Sequence, residues 1–454
     1  MIETRHYNFW EHFNLGVKHS DLTTLEWETI IDKKFKHGDR YCFRKNYSNG
    51  SYNLNTEYFI GLDWLLEDKV SIYVAPKLNT RVLPNFDKDE LYDNFNTAEA
   101  SDEKSQTLEL DYLSMLNDCI CHEEVLEVVD KLLIIDWDAK EISIERNEDL
   151  LSPFLIVQFL NLLKKIVRKG LKKSYYTVEE NLSNRVKGKI SVSRNIKLNV
   201  LKGNRTNTIC LYQEFGVNSA ENQFLKQVLL FCFNYVNNHK KIFNETYEVM
   251  SHIISFCNPA FENVSSIIEQ GNLKSIKHNV FFKEYEQCIK IGKQILKRFG
   301  YNITLTTNLK LKTPPFWIDM PKLFELYVYG KLLNHLGNKN DVKFQFSTYG
   351  NALDFLVTKT GYKMVVDAKY KLAYSDRHMH QDIRQVSGYA RLKVVYEELS
   401  ISEDKIIDCL IIYPNMNLGT YEINLDNKSE IQVYKNVYKL GLTLPIITEK
   451  RKFS

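Results

Sequence analysis

ALDFLVTKTGYKMVVDAKYKL, residues 352–372, reads as two apolar strands with two aspartates and a lysine set among valines, leucines and phenylalanine. ALDFLVT (352–358) and YKMVVDAKYKL (362–372) are the strands, and Lys359-Thr360-Gly361 supplies the turn. A two-residue turn at Thr360-Gly361 and a four-residue turn centred there give the same register, and both place Asp354 opposite Asp367. Opposed residues share a face with Cβ atoms about 4.5–5.5 Å apart, so two like charges there destabilise the sheet unless something positive lies between them. A divalent cation resolves the conflict, and the carbonyl of Ala368 is a further candidate oxygen for it. Lys369 follows Asp367 by two residues, so the strand period places its ammonium on the same face.

Few, hard oxygen ligands leave a magnesium ion with positions for water and for a phosphate oxygen. Such an ion acidifies its water and offsets charge on a phosphorus centre under attack, and a nearby lysine can hold the nucleophile. The pattern therefore points to phosphodiester hydrolysis. The alternative, a hairpin whose polar residues face water, fits poorly. Asp354 lies between Leu353 and Phe355, and Asp367 between Val366 and Ala368.

The neighbouring sequence supplies a frame. DMPKLFELYVYGKLLNHLG (319–337) has Pro321 in the first turn and Gly337 after the last apolar residue, which predicts a helix over 321–336. DVKFQFS (341–347) reads as a strand before the hairpin, residues 378–398 as a helix, and IIDCLIIYP (406–414) as a strand buried on both faces. On the second helix His378, Gln381, Gln385 and Tyr389 form one polar stripe, with Ile383, Val386, Ala390 and Val394 on the remaining surface. Such a stripe can orient water and a phosphate backbone, although a solvated helix face has the same look. Glu325, an acid in an otherwise apolar helix, is a candidate third carboxylate.

With 454 residues, two or three domains are expected. Residues 1–112 read as a β-rich unit (EYFIGL, KVSIYVAPKL) followed by an acidic linker over 85–110, 113–310 as a mostly helical middle, and 311–454 as the α/β unit holding the hairpin. The expected class is α+β multidomain. Sixty Lys and Arg against 57 Asp and Glu give a net charge of +3, so a nucleic-acid surface has to come from local clusters. Arg185, Lys187, Lys189 and Arg194 form one such cluster, and KKIVRKGLKK (164–173) reads equally as a solvated basic face. The eight cysteines are scattered without a C-x-x-C pair, which suggests neither a disulfide framework nor a zinc ribbon, and CICH (119–122) is too tight for a metal site. MIETRHYNFWEHF lacks an apolar signal core and no apolar run approaches a membrane span, so a cytoplasmic protein without membrane contact is expected.

The order helix, three strands, helix, strand, with Asp354, then Asp367-Ala368-Lys369, then Gln385-x-x-x-Tyr389, resembles the PD-(D/E)xK nuclease superfamily in its QxxxY branch. Leu353 stands where the superfamily name has proline. DMPKLFELYV, NRVKGKISVSRNI, YQEFGVNSAENQFLKQVL and SIYVAPKL extend the resemblance over most of the chain to the McrC family, nuclease subunits of 5-methylcytosine restriction systems. The resemblance implies a restriction-endonuclease-like C-terminal fold and a DNA endonuclease using Mg2+, with Mn2+ as a substitute. It further implies Asp354, Asp367 and Glu325 as metal ligands, Lys369 beside the attacking water, and Gln385 with Tyr389 orienting the site. An AAA+ GTPase or ATPase of the McrB type is the implied partner, contacted by the N-terminal part. GKIS (188–191) and GKQI (292–295) lack the remainder of a phosphate loop, which agrees with nucleotide hydrolysis in a separate subunit. A restriction subunit cutting a fixed unmethylated site and a non-catalytic adaptor stimulating an NTPase are the competing expectations.

Overall fold

The computed structural model describes residues 5–12, 22–35, 39–48, 50–76, 109–120, 125, 132–145, 151–243, 246–266, 283–299, 310–348, 351–371, 376–416 and 419–447. The acidic stretch 85–110 lies outside them except for its last two residues, as do Cys121 and His122 of CICH. Two compact units are present: Met1–Leu151 with Lys310–Ser454, and Ser152–Leu309. The chain is thus a mixed α/β, multidomain protein. Among the described residues no helix is long and apolar enough to cross a membrane.

The first unit contains a five-stranded sheet in the spatial order Arg5–Trp10, Val70–Ala75, Phe59–Leu66, Phe316–Asp319, Leu133–Ile135. Four of these strands come from the first third of the sequence, and the fifth is threaded between two of them from residue 316 onward. Phe59–Leu66 approaches it closely: a Cβ on Gly61 would lie 2.1 Å from the carbonyl oxygen of Phe316, so only glycine fits. Trp317 is buried against Phe43, Phe59 and Val74, and its indole Nε1 donates to Asp63 Oδ2 at 2.8 Å. Arg40 ion-pairs with Asp319, the residue that ends this strand.

Asp319 also begins the next element. Its side chain accepts from Lys322 N at 3.1 Å, capping helix α1 (Met320–Leu336), with Pro321 in the first turn and Gly337, φ +77°, closing the far end. The sequence therefore places this helix to within a residue. After it come β1 (Val342–Thr348), β2 (Asn351–Val357) and β3 (Met364–Ala368), then α2 (Asp376–Tyr389), α3 (Lys393–Leu399), β4 (Asp408–Pro414), β5 (Ser429–Glu430) and β6 (Val437–Leu442). They form a six-stranded sheet in the order β1-β2-β3-β4-β6-β5. β1, β2 and β3 pair antiparallel, while β3, β4 and β6 run parallel, which requires the helical crossover between β3 and β4.

Two details differ from the sequence reading. The helix expected over 378–398 is two helices, because Arg391 N and Leu392 N bond back three residues to Gly388 O and Tyr389 O, and the chain restarts at Lys393. The third strand ends at Ala368, short of residue 372. Leu353, Leu356 and Val365 pack with Met379, Ile383 and Val386 of α2 and with Val395 and Leu399 of α3, while Tyr329 of α1 stacks on Phe344 at 4.7 Å. Burial of each such aliphatic or aromatic side chain contributes about 1.5–3 kcal/mol.

The second unit contains the helices Leu151–Lys169, Ala220–Asn238, Thr246–Cys257 and Lys283–Arg298. It also contains sheet, which the expectation of a mostly helical middle did not include. Ser174–Ser183 and Asn207–Gly216 pair antiparallel over ten residues each, with Lys189–Ile190 alongside. The strand signal is diluted because much of this arm faces solvent and its Tyr, Val, Ile and Leu are interspersed with Glu, Asn and Gln.

Candidate active site

The β2–β3 ladder pairs Phe355 with Val366, Leu356 with Val365 and Val357 with Met364. One step further along the same register, Asp354 faces Asp367. Asp367 lies two residues from Val365, which packs toward α2, and Lys369 links it to Gln385 of that helix. Asp367 is 2% exposed, an uncommon state for a carboxylate.

Three groups surround the pair. Asp354 Oδ2 accepts the Ala368 N–H at 2.8 Å, which joins the two strands where their backbone ladder ends. Lys369 Nζ stands 2.8 Å from Asp367 Oδ2 and donates to Gln385 Oε1 at 3.0 Å. Gln385 Nε2 in turn donates to the Tyr389 hydroxyl at 2.8 Å. An ammonium can only donate, so it fixes the amide with its oxygen toward Lys369 and its nitrogen toward Tyr389. The i, i+4 spacing of Gln385 and Tyr389 on α2 is thus a support for the lysine. Burial, then the Asp367 charge, then the Glu325 charge push Asp354 well above the usual carboxylate range, against the Ala368 N–H and Lys369. Burial alone would lower the Lys369 ammonium, but Asp367 and Asp354 raise it overall.

Glu325 comes from the first half of α1. Its Oε2 receives Lys322 Nζ at 3.0 Å and its Oε1 receives Gln345 Nε2 at 3.2 Å. Burial raises its carboxyl above the ordinary value, with Lys322 and Gln345 opposing. Glu325 is therefore close enough to be felt by Asp354, but both of its oxygens are engaged. Among the described residues no three His, Cys, Asp or Glu side chains converge as a ready-made metal cage. A magnesium ion does not need one, since it is commonly held by one or two carboxylates with waters and substrate phosphate. The residues present fit that demand, because Asp367 Oδ2 is buried and, despite its ion contact with Lys369, makes no hydrogen bond of good geometry.

Asp354, Asp367, Lys369, Gln385 and Tyr389 are thus brought together, with Glu325 beside them. The side chain of His378 lies outside the described residues, and Gln381 lines another place: an open concavity of about 570 Å³ shared with His380, Arg384 and Tyr434. The basic cluster belongs to the second unit. There Arg194 ion-pairs with Glu179, Lys187 lies 3.8 Å over the Tyr212 ring, and Lys189 is in the short strand of the arm. The Glu180 carboxylate, accepting from Tyr212, holds that phenol up at about 12. In the first of the basic stretches, Lys169 pairs with Glu284 and Lys172 with Glu221.

Sequence reasoning overlooked Gln345 and the pair of the buried Asp382 with the half-buried Lys371, 2.8 Å apart. A signal for Gln345 was available. The β1–β2 register, Phe344 with Phe355 and Phe346 with Leu353, puts it opposite Asp354, and the counting used for the second hairpin applies equally to the first.

A family model described as McrBC 5-methylcytosine restriction system component matches residues 65–396. Among solved structures, a half-complex of Thermococcus gammatolerans McrB AAA+ hexamers with bound McrC is similar at 13% identity, covering 96% of this chain and 94% of that one, with a TM-score of 0.36. The cryo-EM structure of the Thermococcus gammatolerans McrBC complex is similar at 13% identity, covering 73% and 88%, with a TM-score of 0.27. No curated protein matches.

Proposed function

The chain belongs to the McrBC 5-methylcytosine restriction system component family, and on that premise we propose that it is the DNA-cutting subunit, a magnesium-dependent endonuclease. The observation that carries this reading is the pair Asp354 and Asp367, which the hairpin register sets against each other, with Lys369 against the buried Asp367. Nothing in the packing of a plain hairpin calls for three charges at that point.

In this reading Asp354 and Asp367 hold the ion, Glu325 completes its surroundings, and Mn2+ substitutes for Mg2+. The ion, when bound, supplies positive charge at the scissile phosphate and acidifies a water. The chain's own groups do the rest. Lys369 holds the attacking water by donating to its oxygen, and its charge offsets that building on the phosphate oxygens. Gln385, braced by Tyr389, keeps the ammonium from collapsing wholly onto Asp367. The water oxygen forms the new bond to phosphorus, the bond to the leaving oxygen of the DNA strand breaks, and the proton lost from water leaves to solvent.

A McrB-type AAA+ GTPase or ATPase that translocates DNA is the partner in this proposal, supported by the family and by the lack of a phosphate loop in this sequence. Modified DNA carrying 5-methylcytosine is the proposed target. The test is plasmid cleavage in magnesium by the full chain with a McrB-type AAA+ subunit and nucleotide, on methylated and unmethylated DNA, alongside Asp367→Ala. Cleavage lost in the variant and preferred on methylated DNA supports the reading. Cleavage of one fixed unmethylated sequence moves the chain to a multi-component restriction enzyme. No cleavage by an assembled, nucleotide-hydrolysing complex makes it an adaptor.

A further inference from the structure

We propose that Gln345 is a positioning residue that sets where Glu325 stands relative to the Asp354–Asp367 pair, an inference that rests on the metal-site reading above. Six non-glycine residues with positive φ occur among the described residues, and Gln345, at φ +48°, is the one inside a strand; the other five lie in turns and bends. Glutamine has no special tolerance for the left-handed region, unlike asparagine or aspartate. Strain of this kind persists where the surroundings over-determine it, and it clusters at functional sites.

The surroundings here are specific. Phe344 and Phe346 on either side keep their pairing with Phe355 and Leu353, yet Phe344 stacks on Tyr329 of α1 while Phe346 packs with the cluster under α2, so the strand turns over at Gln345, the residue that the register sets opposite Asp354. That residue's amide donates to Glu325 Oε1, while the other carboxylate oxygen is held by Lys322, one turn away on the same helix. Lys322 sits on α1 with Glu325 and meets the sheet through the face of the Phe344 ring, 4.8 Å from its Nζ, a contact that carries no directed hydrogen bond. Among the described contacts, Gln345 supplies the direct hydrogen bond between Glu325 and the strand beside Asp354. Releasing it frees the third carboxylate while leaving the two aspartates in place.

Two substitutions separate this role from simple relief of strain. Gln345→Asn tolerates the left-handed backbone but is one methylene too short to reach Glu325; Gln345→Gly removes the strain and the amide together. The full chain is titrated with Mn2+ by calorimetry without DNA, its unfolding midpoint is recorded, and the magnesium concentration for half-maximal cleavage is measured in the assembled complex. Both variants are expected to bind Mn2+ several-fold more weakly and to need several-fold more magnesium, with an unfolding midpoint equal to or above that of the parent. Wild-type Mn2+ affinity in both variants overturns the proposal, leaving Gln345 as a strained surface position. Asp367→Ala runs in parallel. If it binds Mn2+ as tightly as the parent, or the parent binds none, the metal-site reading itself fails; if it loses binding while the Gln345 variants keep theirs, only the role of Gln345 falls.

Discussion

Two of the antiparallel pairs in this protein carry their charges in opposite ways. The arm of Ser174–Ser183 and Asn207–Gly216 sets Glu179, Glu180 and Glu214 on a largely solvated surface, where each finds a tyrosine or arginine at its rim. The β2–β3 hairpin sets a half-buried Asp354 against a buried Asp367. Exposed ion pairs contribute about 0–1 kcal/mol, whereas buried like charges oppose folding unless something compensates. The lesson is that charge content alone marks neither region; burial of the charge does.

The comparison breaks most sharply at Asp367. Asp367→Ala is expected to lower the initial rate of plasmid nicking by about 10³-fold; a rate within tenfold of the parent would falsify the assignment of the buried pair to catalysis. Next in size is a test of the sheet that precedes the hairpin. Gly61→Ala pushes a methyl group into the Phe316 carbonyl and is expected to cost about 1–3 kcal/mol in urea unfolding. An unchanged midpoint and slope would show that the close approach is relaxed in solution.

Asp354→Asn sharpens the comparison from the stability side. The folded state holds Asp354 above its ordinary value, so it keeps its proton to higher pH than the unfolded chain does, and stability falls as pH rises from the ordinary carboxylate value through the raised one. Removing the charge is expected to stabilise the metal-free protein by on the order of 1 kcal/mol at pH 8, with the gain vanishing toward pH 4, while cleavage is lost. Equal unfolding midpoints at the two pH values would sink that account. The smallest effects belong to the arm. Joint replacement of Arg185, Lys187 and Lys189 by alanine is expected to flatten the slope of log K for DNA binding against log salt by about 0.9 per lost phosphate contact. Arg194→Ala, which removes a half-solvated pair with Glu179, is expected to move stability by less than about 0.5 kcal/mol. No change in slope assigns the basic residues to another surface role.

Much of the site's geometry was legible in the sequence because the turn fixes the register of the β2–β3 hairpin. Counting from Thr360-Gly361 placed Asp354 against Asp367, and i, i+4 spacing put Gln385 beside Tyr389. Three things were not legible. The arm within the middle of the chain lacks the buried apolar alternation that announces a strand. The break between α2 and α3 rests on tightened backbone bonds around Gly388 and Tyr389, with no proline to signal it. The support that Gln385 gives Lys369 was not readable either, since a polar stripe on a helix does not say which neighbour it meets.

Phe316–Asp319, threaded into the middle of the N-terminal sheet, has a consequence for the order of events during synthesis. Asp63 and the Trp317 that bonds to it are 254 residues apart, a distance that a ribosome adding about 5–20 residues per second takes roughly 10–50 s to cover. Until then the strand Phe59–Leu66 has an open edge on that side, and such an edge is a template for pairing with other chains. When Phe316–Asp319 arrives to close it, the hairpin with Asp354 and Asp367 has yet to be made. The sheet is completed before the acids are translated, so a chain interrupted ahead of residue 354 carries the scaffold without the paired aspartates.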